Sequence, residues 1–427
     1  MTLAGNPGSG PDWPEALRAP VRHLPSHSRL RIALSGGMDS VLLVHVAAAL
    51  YANTGRLSAI HVNHQLQPNA GHTEQFCQQL CNRLKVPLEI RRVVVNGCAN
   101  TDGDSSRGVE EAARNARYRV FEEILTPGEL LLMAHHGDDQ AETVLFRMLR
   151  GSGVAGLGGM PRSRPLGEGA LFRPLLDFSR AELRALATEN GIDWVEDPSN
   201  IDERFDRNFL RQSIMPLLKS RWPSLVNRIA HSARSCREGD ELARKLAEIR
   251  FQQCANERGA LGVNKLAELA LAEQKNLLRW WIKKHRHESP AIADWEQVLA
   301  GFLDAPPDRD PELRGPGYVV RRYQGCLYLV PAPSAVPSGK PTLVPDQELA
   351  WGEWRLRLTA SGNRKMPAPD IRISARAGGE RLRTALDGPS KSLKNWLQEN
   401  NIPPWERARL PLLLEVINGS EEVVGAG

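Results

Sequence analysis

The stretch LSGGMDS, residues 34–40, combines glycines, hydroxyl groups and a carboxylate between an apolar run and an apolar helical stretch. In a strand–turn–helix arrangement, the backbone N–H groups of such a turn and the positive end of the helix dipole favour an anion at one position. Glycines allow a close backbone approach, and serine hydroxyls donate to phosphate oxygens. The stretch therefore predicts a phosphate-binding loop. Its expected ligands are consecutive residues: Ser35, Gly36, Gly37, Met38, Asp39 and Ser40.

Asp39 is the acidic member of this loop. Carboxylate oxygens suit Mg²⁺, so we expect Asp39 to hold Mg²⁺ against the bound phosphates. The G-x-x-x-x-G-K-[ST] signature of P-loop kinases and GTPases is absent from the stretch, which excludes that class of loop. The alternative is a glycine-rich turn without a ligand.

A second group of ionisable residues lies in HHGDDQAET, residues 135–143. Asp139 and Glu142 are three residues apart at the start of a predicted helix and share one face of it. Carboxylates in a first turn either bind a cationic substrate or complement the helix dipole. His136 either assists proton transfer near neutral pH or is a hydrogen-bonded core histidine. The pattern leaves these alternatives open.

The elements that must position these residues alternate between short aliphatic runs and helical stretches. The predicted strands are Leu30–Leu34, Leu57–Val62, Leu88–Val95, Leu130–Ala134 and Ile192–Val195. The predicted helices are Ser40–Tyr51, His72–Leu84, Val109–Leu125, Asp139–Arg150 and Ser179–Asn190. This alternation predicts an α/β fold with a doubly wound parallel sheet. Ligands of such sheets bind beyond the carboxyl ends of the strands, where the phosphate loop falls.

The rest of the chain divides by composition. Residues 1–25 read as a flexible lead, and 26–216 as the catalytic domain. Residues 217–330 predict a helical domain that ends in a hairpin around Gln324-Gly325. The proline-rich stretch 331–345 is the expected linker, and 346–427 is expected to form a small α+β C-terminal domain.

Bulk composition is that of a globular protein: 427 residues, 41% hydrophobic and 25% charged. No apolar run approaches the roughly 18 residues of a membrane span, and the N-terminus lacks a signal-peptide pattern. We therefore expect a cytoplasmic protein. The six cysteines include no C-x-x-C pair, which argues against zinc, iron–sulfur and redox dithiol sites. Cys77 and Cys81 are expected to be small buried hydrophobes.

Two segments are basic within a chain of net charge +5. Residues 201–290 hold 18 Lys and Arg against 11 Asp and Glu, and 351–410 hold 12 against 6. Such an excess suits a polyanionic partner, although solvated helix faces give the same pattern.

The hexapeptide S-G-G-x-D-S after a first strand resembles the pyrophosphate loop of N-type ATP pyrophosphatases. That resemblance implies cleavage of ATP to AMP and pyrophosphate while a substrate oxygen is adenylated. Further stretches resemble tRNA(Ile)-lysidine synthetases in order and spacing: AIHVNHQL (59–66), GVEEAARNARYRVF (108–121), MAHHGDDQAETVLFRMLRGSG (133–153), RPLL (173–176), WVEDPSN (194–200), DRNFLR (206–211) and GGERLR…KSLKNWLQENNIPPWERARLPLL (378–413).

The second resemblance implies a specific ATP-dependent ligation. The C2 oxygen of the wobble cytidine in the CAU-anticodon isoleucine tRNA is adenylated, and the ε-amine of free L-lysine then displaces AMP. The product is lysidine, which changes decoding from AUG to AUA. The implied cofactors are ATP and Mg²⁺, and the oligomeric state stays open, a dimer included.

The resemblance also implies residue roles. Arg114, Arg117 and Arg207 match positions expected to clamp phosphate charge, with surface ion pairs as the alternative. Asp139 and Glu142 match residues that contact lysine or the reacting site, and His64 and His136 are further substrate-binding candidates. Many members read His-His-Gly where this chain has Asn63-His64-Gln65, which removes any role for a first histidine there.

The C-terminal basic residues are candidates for tRNA phosphate contacts: Arg376, Arg381, Arg383, Lys391 and Lys394. Trp396 and Trp405 are expected to belong to the core. The G-x-G-x-x-G match at 151–156 follows a helix rather than a strand, so we interpret it as a flexible loop over the active cleft.

Three other functions remain as alternatives. A tRNA thiolase shares the ATP loop but uses paired or nucleophilic cysteines. A non-catalytic RNA-binding protein that keeps ATP as a structural ligand would bind tRNA without releasing AMP. An amidotransferase-type synthetase acting on a small molecule is disfavoured, because no glutaminase-like cysteine begins the chain.

Overall fold

The computed structural model describes residues 13–65, 70–94, 105–196, 206–288, 290, 292–306, 309, 311–332, 337–359, 370–383, 390–407, 409–417 and 420–426. The contacts of the chain divide it into two compact units, 1–243 and 244–427. No helix in the described ranges is both long and apolar enough to span a membrane.

The first unit is an α/β structure. Its helices are α1 (Glu15–Arg22), α2 (Met38–Tyr51), α3 (Ala70–Leu84), α4 (Ser105–Ile124), α5 (Gly137–Leu149), α6 (Val154–Leu157), α7 (Arg180–Glu189), α8 (Asp206–Phe209), α9 (Met215–Arg221) and the first part of α10 (Leu225–Cys254). Its strands are β1 (Arg29–Ala33), β2 (Leu57–Asn63), β3 (Leu88–Arg92), β4 (Glu129–Leu132), β5 (Ser163–Leu166) and β6 (Gly169–Phe172). A 3₁₀ turn spans Ala52–Thr54, and a π-helical turn, Leu210–Ile214, joins α8 to α9.

The strands of this unit form, within its described residues, a six-stranded sheet of order β3-β2-β1-β4-β6-β5. All neighbours are parallel except β5, which runs antiparallel to β6. The chain builds outward from β1 to β3 and then returns to place β4 on the other side of β1. The loop after β1 therefore lies at a topological switch point, where ligands of such sheets bind. The predicted doubly wound fold is confirmed.

Apolar side chains fill both faces of the sheet. Leu130 and Leu132 pack into the cluster that contains α1, α2 and α7, whereas Leu131 faces the cluster around Phe121 of α4 and Leu125, which follows that helix. A strand buried on both faces must be apolar at successive positions, which explains the run in β4.

Four of the five predicted strands are confirmed as β1 to β4. Val95, the last residue of the predicted strand Leu88–Val95, lies outside the described residues. Ile192–Val195 is wrong, because it forms no strand; instead the Val195 N–H donates to the Gly36 carbonyl at 3.0 Å. The β5–β6 hairpin was missed because its strands are four residues long and contain Pro165 and Gly169, which sheet-forming patterns disfavour.

The predicted flexible lead is wrong for residues 13–25, while 1–12 lie outside the described residues. Trp13, Leu17 and Val21 are at most 1% exposed and belong to the main core. Leu17 and Val21, four residues apart, form an apolar face of α1 that requires cover, and Trp13 extends this face just before the helix.

Two local predictions had different outcomes. The predicted helix Ser179–Asn190 is confirmed as α7, and Ser179 caps it in a capping box with Glu182. Residues 154–157, predicted within a flexible loop, form the short helix α6, and Arg147 of α5 donates to the Gly156 and Gly159 carbonyls at 2.9 and 2.8 Å. These bonds satisfy carbonyls at the end of the helix, a requirement that the glycine pattern did not reveal.

The second unit contains the end of α10 and further short elements. Its helices are α11 (Val263–Ala267), α12 (Leu271–Lys284), α13 (Trp295–Leu303), α14 (Leu393–Glu399) and α15 (Pro404–Arg407). Its strands are β7 (Leu261–Gly262), β8 (Glu312–Gly315), β9 (Tyr318–Tyr323), β10 (Cys326–Pro331), β11 (Glu348–Trp351), β12 (Trp354–Arg357), β13 (Ile371–Ser374), β14 (Arg381–Arg383), β15 (Ser390–Ser392), β16 (Leu412–Ile417) and β17 (Ser420–Ala426).

Three sheets organise the described part of this unit, in the orders β7-β10-β9-β8, β11-β12 and β13-β16-β17-β14-β15. The predicted hairpin is β9–β10, with Gln324 and Gly325 at positive φ. The predicted linker 331–345 is not wholly irregular. Leu343 is buried, and its N–H donates to the Ile371 carbonyl at 2.8 Å, whereas 333–336 lie outside the described residues.

Candidate active site

The phosphate loop leaves β1 through Leu34 and Ser35 and enters α2 at Met38. Gly36 has φ +90°, and a Cβ added there would lie 2.7 Å from Thr73 Cγ2. Gly37 has no such conflict, since an added Cβ would meet only Ser35 Oγ at 3.6 Å. Gly36 is therefore required by both backbone conformation and space.

The Ser40 hydroxyl holds the loop in shape. It donates to the Gly37 carbonyl at 2.9 Å and accepts the Ser35 N–H at 3.1 Å. The Ser35 and Ser40 hydroxyl oxygens lie 3.0 Å apart. These bonds preorganise the turn at the start of α2, where exposed N–H groups favour an anion.

Asp39 points into this site from the first turn of α2. Its side chain is 29% exposed, yet its Oδ1 atom is buried and has no hydrogen-bond partner. Burial raises the pKa of Asp39 above its ordinary value, with His136 opposing the shift. A cation at Oδ1 would satisfy both features. Mg²⁺ in phosphate sites commonly uses one or two carboxylates plus phosphate and water oxygens, so these residues fit Mg²⁺.

His136 caps α5 and links Asp39 to the acidic residues of that helix. Its Nδ1 accepts the Asp139 N–H at 3.4 Å, so the neutral ring carries its proton on Nε2. Nε2 lies 3.6 Å from Asp39 Oδ2 and 3.4 Å from Asp139 Oδ2. His136 is therefore a buried, hydrogen-bonded residue that also faces the site.

Asp139 and Glu142 share one cation, Arg211. The Arg211 Nε donates to Glu142 Oε1 at 2.8 Å, and its Nη2 reaches Glu142 Oε2 at 2.7 Å and Asp139 Oδ1 at 3.0 Å. The two carboxylates thus converge on one point, as their spacing predicted. Arg211 itself was missed, although it ends the stretch DRNFLR. It sits on the π-helical turn 210–214, a local register change that occurs often at functional sites.

The charges of this recess follow from burial and pairing. Burial opposes ionisation of Asp139, but His136, His135 and Arg211 outweigh it, so the pKa of Asp139 is lowered. For Glu142, burial wins over the Arg211 hydrogen bonds and its pKa is raised. The hydrogen bonds to Glu142 raise the pKa of Arg211. Asp139 therefore stays anionic at neutral pH.

Asp138, next to these residues, has a different role. Its Oδ2 accepts the Arg180 N–H at the start of α7 at 2.7 Å, and its Oδ1 pairs with Lys219. Asp138 therefore anchors α7 and α9 to α5.

His64 and Arg117 form a separate pair at the end of β2. Arg117 Nε donates to His64 Nε2 at 3.2 Å, so the proton of the ring resides on Nδ1, which is buried without a partner. Burial and Arg117 lower the pKa of His64 to about 4. His64 thus offers one neutral N–H donor. Asn63 is held by Glu74 at 2.8 Å and serves the fold.

The remaining arginines surround Tyr118. Arg114 and Arg164 lie over the Tyr118 ring, with guanidinium carbons 5.3 and 5.1 Å from its centroid. Arg173 is 3% exposed, donates to His135 Nδ1 at 3.2 Å and to the Pro161 carbonyl at 2.7 Å, and hydrogen bonds to Tyr118. We call Arg114, Tyr118, His135, Arg164 and Arg173 the Tyr118 cluster.

Arg207 lies on α8. It is close enough to His135 to contribute, after burial, to lowering the pKa of that histidine to about 4. The predicted site residues of the first unit therefore fall in three neighbouring groups: the loop with Asp39, the acidic recess, and the basic residues Arg114, Arg117 and Arg207.

Comparison with known proteins places this geometry in a family. Residues 15–218 match the PP-loop domain, 261–328 the TilS substrate binding domain and 371–418 the TilS substrate C-terminal domain. The tRNA(Ile)-lysidine synthase of Coxiella burnetii is 37% identical over 417 residues, which cover 94% of this chain and 89% of the relative. That of Pseudomonas aeruginosa is 41% identical over 404 residues, with 90% and 86% covered. The chain belongs to the tRNA(Ile)-lysidine synthase family.

Among solved structures, the U34-tRNA thiolase NcsA from Methanococcus maripaludis aligns with a TM-score of 0.43 at 17% identity. The alignment covers 52% of this chain and 78% of that one. The family assignment confirms the resemblance found in the sequence, and the PP-loop match confirms that the loop after β1 belongs to an ATP-binding domain.

The candidate RNA-binding residues of the second unit differ in their pairing. Arg376 lies 3.5 Å from Glu380, Lys391 pairs with Glu399 at 3.1 Å, and Arg381 donates to Ser390 at 2.8 Å. Lys394 is exposed. The side chain of Arg383 lies outside the described residues.

The aromatic and cysteine predictions are largely met. Trp396 packs against the core around Leu393 and Leu397, as expected. The Trp405 ring instead contacts the rings of Tyr323 and Tyr328, with centroid separations of 5.8 and 5.5 Å.

Cys77 and Cys81 are fully buried, as predicted. Burial raises the pKa of their thiols to about 12 and about 11. Both are therefore inert at neutral pH, whereas Cys98 lies outside the described residues.

Proposed function

We propose that the protein is an ATP-dependent ligase that joins free L-lysine to C2 of the wobble cytidine in the CAU-anticodon isoleucine tRNA. The cytidine oxygen is first adenylated by ATP, which releases pyrophosphate, and the lysine ε-amine then displaces AMP. The observation that carries the proposal is the continuous series from Asp39 through His136 to the Asp139–Glu142 recess, in a chain of this family.

The ATP half of the reaction belongs to the loop at 35–40. Its N–H groups would hold the phosphates, and Asp39 would hold Mg²⁺, which neutralises phosphate charge when bound. Arg117 and Arg207 are the proposed clamp for charge that develops on the phosphates, whereas Arg114, the third residue expected there, lies over the Tyr118 ring. The unpaired Nδ1–H of His64 supports a contact with a substrate acceptor atom.

The lysine half belongs to Asp139 and Glu142. Their carboxylates converge on the Arg211 guanidinium, so the geometry of the recess suits a cation. A lysine ammonium has the same charge and three donors. Lysine binding would share or replace the contacts that Arg211 makes.

The RNA half belongs to the basic residues of the second unit. Phosphate contacts of this kind position an RNA and contribute most of its non-specific affinity. The proposal places the reaction in the cytoplasm, together with the tRNA.

A nucleotide assay tests this function. AMP and pyrophosphate formation from ATP should require both the CAU isoleucine tRNA and lysine for multiple turnovers. AMP release that needs neither RNA nor lysine would contradict the proposal. Tight tRNA binding without any AMP release would favour a non-catalytic RNA-binding protein.

A tRNA thiolase is the second candidate within the same loop class. Its chemistry relies on cysteines, whereas Cys77 and Cys81 are buried with raised thiol pKa values. A variant with all six cysteines changed to serine separates the two functions. Retained activity would exclude the thiolase, and complete loss in a folded variant would favour it.

A further inference from the structure

The Tyr118 cluster concentrates positive charge at the sheet edge next to the phosphate loop. His135 follows β4, Arg173 follows β6, and Arg164 lies on β5, whereas the loop follows β1. In the strand order, β4 stands beside β1, with β6 and β5 beyond it. The cluster therefore lies along the same edge as the loop but on the side of β4 away from β2.

No carboxylate in the described part of the chain neutralises the charges of this cluster. Among the described residues, no carboxylate forms an ion pair with Arg114, Arg164 or Arg173. Arg114 and Arg164 share one aromatic ring, an interaction that offsets only part of the repulsion between two cations. Arg173 is buried beneath them, and its hydrogen bonds go to neutral groups: a carbonyl, an imidazole and a phenol.

Such an arrangement is costly without an anion. A buried arginine normally has an acidic partner, because removing its charge from water is unfavourable. Burial lowers the pKa of Arg173; Tyr118 opposes this shift, and Arg164 and Arg114 add to it. An anion between the guanidinium groups would relieve the repulsion. Planar guanidinium forks match phosphate oxygens in particular.

We propose that the Tyr118 cluster is a second anion site, which binds a phosphodiester group of the RNA substrate. This inference rests on the proposed function. The loop at 35–40 already provides a site for the ATP phosphates, and the RNA must bring its reacting base to the same sheet edge. A backbone phosphate near that base would therefore meet the Tyr118 cluster. Arg164 and the exposed Arg114 would contact the phosphate, and Arg173 would supply potential from below.

The test variant is Arg164→Gln, which removes one charge from the proposed site and touches no residue of the loop or the acidic recess. Arg119→Gln is the matched control, because Arg119 is exposed on α4, the helix that carries Arg114 and Tyr118. Arg164→Lys keeps the charge but loses the fork. Thermal unfolding of each variant verifies that the protein is folded.

Affinity of the whole protein for the tRNA transcript is measured across a range of salt concentrations. Arg164→Gln should weaken binding several-fold and reduce the salt slope by about 0.7–0.9, the value for one phosphate contact. Arg164→Lys should fall between Arg164→Gln and the unchanged protein. Arg119→Gln should show neither loss, and an equal loss there would overturn a defined site.

Two further readouts identify the source of the phosphate. Binding of a non-hydrolysable ATP analogue without RNA should be unchanged in Arg164→Gln; a loss there with intact RNA binding would assign the cluster to ATP and overturn the proposal. Anticodon stem-loop RNAs that carry a single neutral methylphosphonate near the wobble cytidine should bind the unchanged protein more weakly than the unmodified RNA does. For at least one of these positions, the Arg164→Gln protein should bind the modified and the unmodified RNA with equal affinity. If the loss of affinity caused by Arg164→Gln and the loss caused by the methylphosphonate add fully at every position, the proposed phosphate contact is contradicted.

This outcome is separable from the proposed function. If the unchanged protein incorporates no lysine, the proposed ligase activity is refuted, whereas the RNA-affinity measurements still test the second anion site. Normal incorporation with no effect of Arg164→Gln on RNA affinity would refute the second anion site alone.

Discussion

Arg211 is the cation that the two carboxylates of the acidic recess share. It makes three hydrogen bonds to Asp139 and Glu142. Glu142 is 4% exposed, so without this cation burial would favour the neutral form of its carboxyl group. Arg211, a cation of the protein itself, thus holds the recess in a geometry that suits a cationic substrate.

Removal of Arg211 should change the pH dependence of lysine use. In Arg211→Gln, the pKa values of Asp139 and Glu142 rise, because burial is then less opposed. Ionised carboxylates are present above their pKa and are lost as pH falls through it, so the acid limb of kcat/KM for lysine should move to higher pH. Arg184→Gln, an exposed change on α7, is the control. An unmoved acid limb would contradict the role of Arg211.

His135 should make folding sensitive to mild acid. Burial lowers its pKa from 6.5 to about 4, so the unfolded chain takes up a proton before the folded one does. The contribution is complete above pH 6.5 and is lost as pH falls towards 4, by at most about 1.4 kcal/mol per pH unit. The urea-unfolding midpoint should therefore drop less between pH 7.5 and 5.5 in His135→Gln. The exposed change His231→Gln should retain the drop; an identical drop in His135→Gln would refute this account.

The site was predictable at residue level where a motif is local. The loop residues and the Asp139–Glu142 pair are close in sequence, so helical spacing alone brings them together. Arg211, Arg164 and Arg173 were not predicted, because their partners are distant along the chain: Arg211 lies 69 residues from Glu142. Only the folded sheet brings such residues to one edge.

The phosphate loop depends on one backbone conformation at the level of the element. Gly36→Ala would force φ +90° on a residue with a Cβ and place that atom against Thr73. We expect a loss of about 1–3 kcal/mol in the free energy of unfolding and weak binding of an ATP analogue. Gly37→Ala adds the same methyl group without that clash, so its effect on stability should be clearly smaller. Equal destabilisation by both variants in urea titrations would count against this interpretation.

Strands and helices differed in how far their sequence revealed them. The buried parallel strands carry long aliphatic runs and were predicted. The β5–β6 hairpin turns through Gly167, at φ +55°, where an added Cβ would lie 2.3 Å from the Glu122 carbonyl oxygen. That requirement comes from a helix far away in the chain. The segment 192–195 has a strand-like sequence but donates to the phosphate loop instead.

The whole molecule should bind tRNA through a salt-dependent interaction. Lys394 is exposed, whereas Lys391 is already paired with Glu399 at 3.1 Å. Lys394→Ala should therefore reduce the slope of log affinity against log salt by about 0.7–0.9, and Lys391→Ala by less. Fluorescence titrations of the tRNA transcript at several salt concentrations measure both slopes. A larger change in slope for Lys391→Ala than for Lys394→Ala would contradict the expectation that the exposed Lys394 makes the stronger contact with the tRNA.

Incorporation of labelled lysine into tRNA measures the proposed ligation itself. The protein is incubated with ATP, Mg²⁺ and labelled lysine, together with an isoleucine tRNA transcript that has a CAU anticodon. A second transcript differs only at the wobble cytidine. The proposed ligase should label the first transcript and not the second. Label in both transcripts, or in neither while AMP is still released, would contradict it.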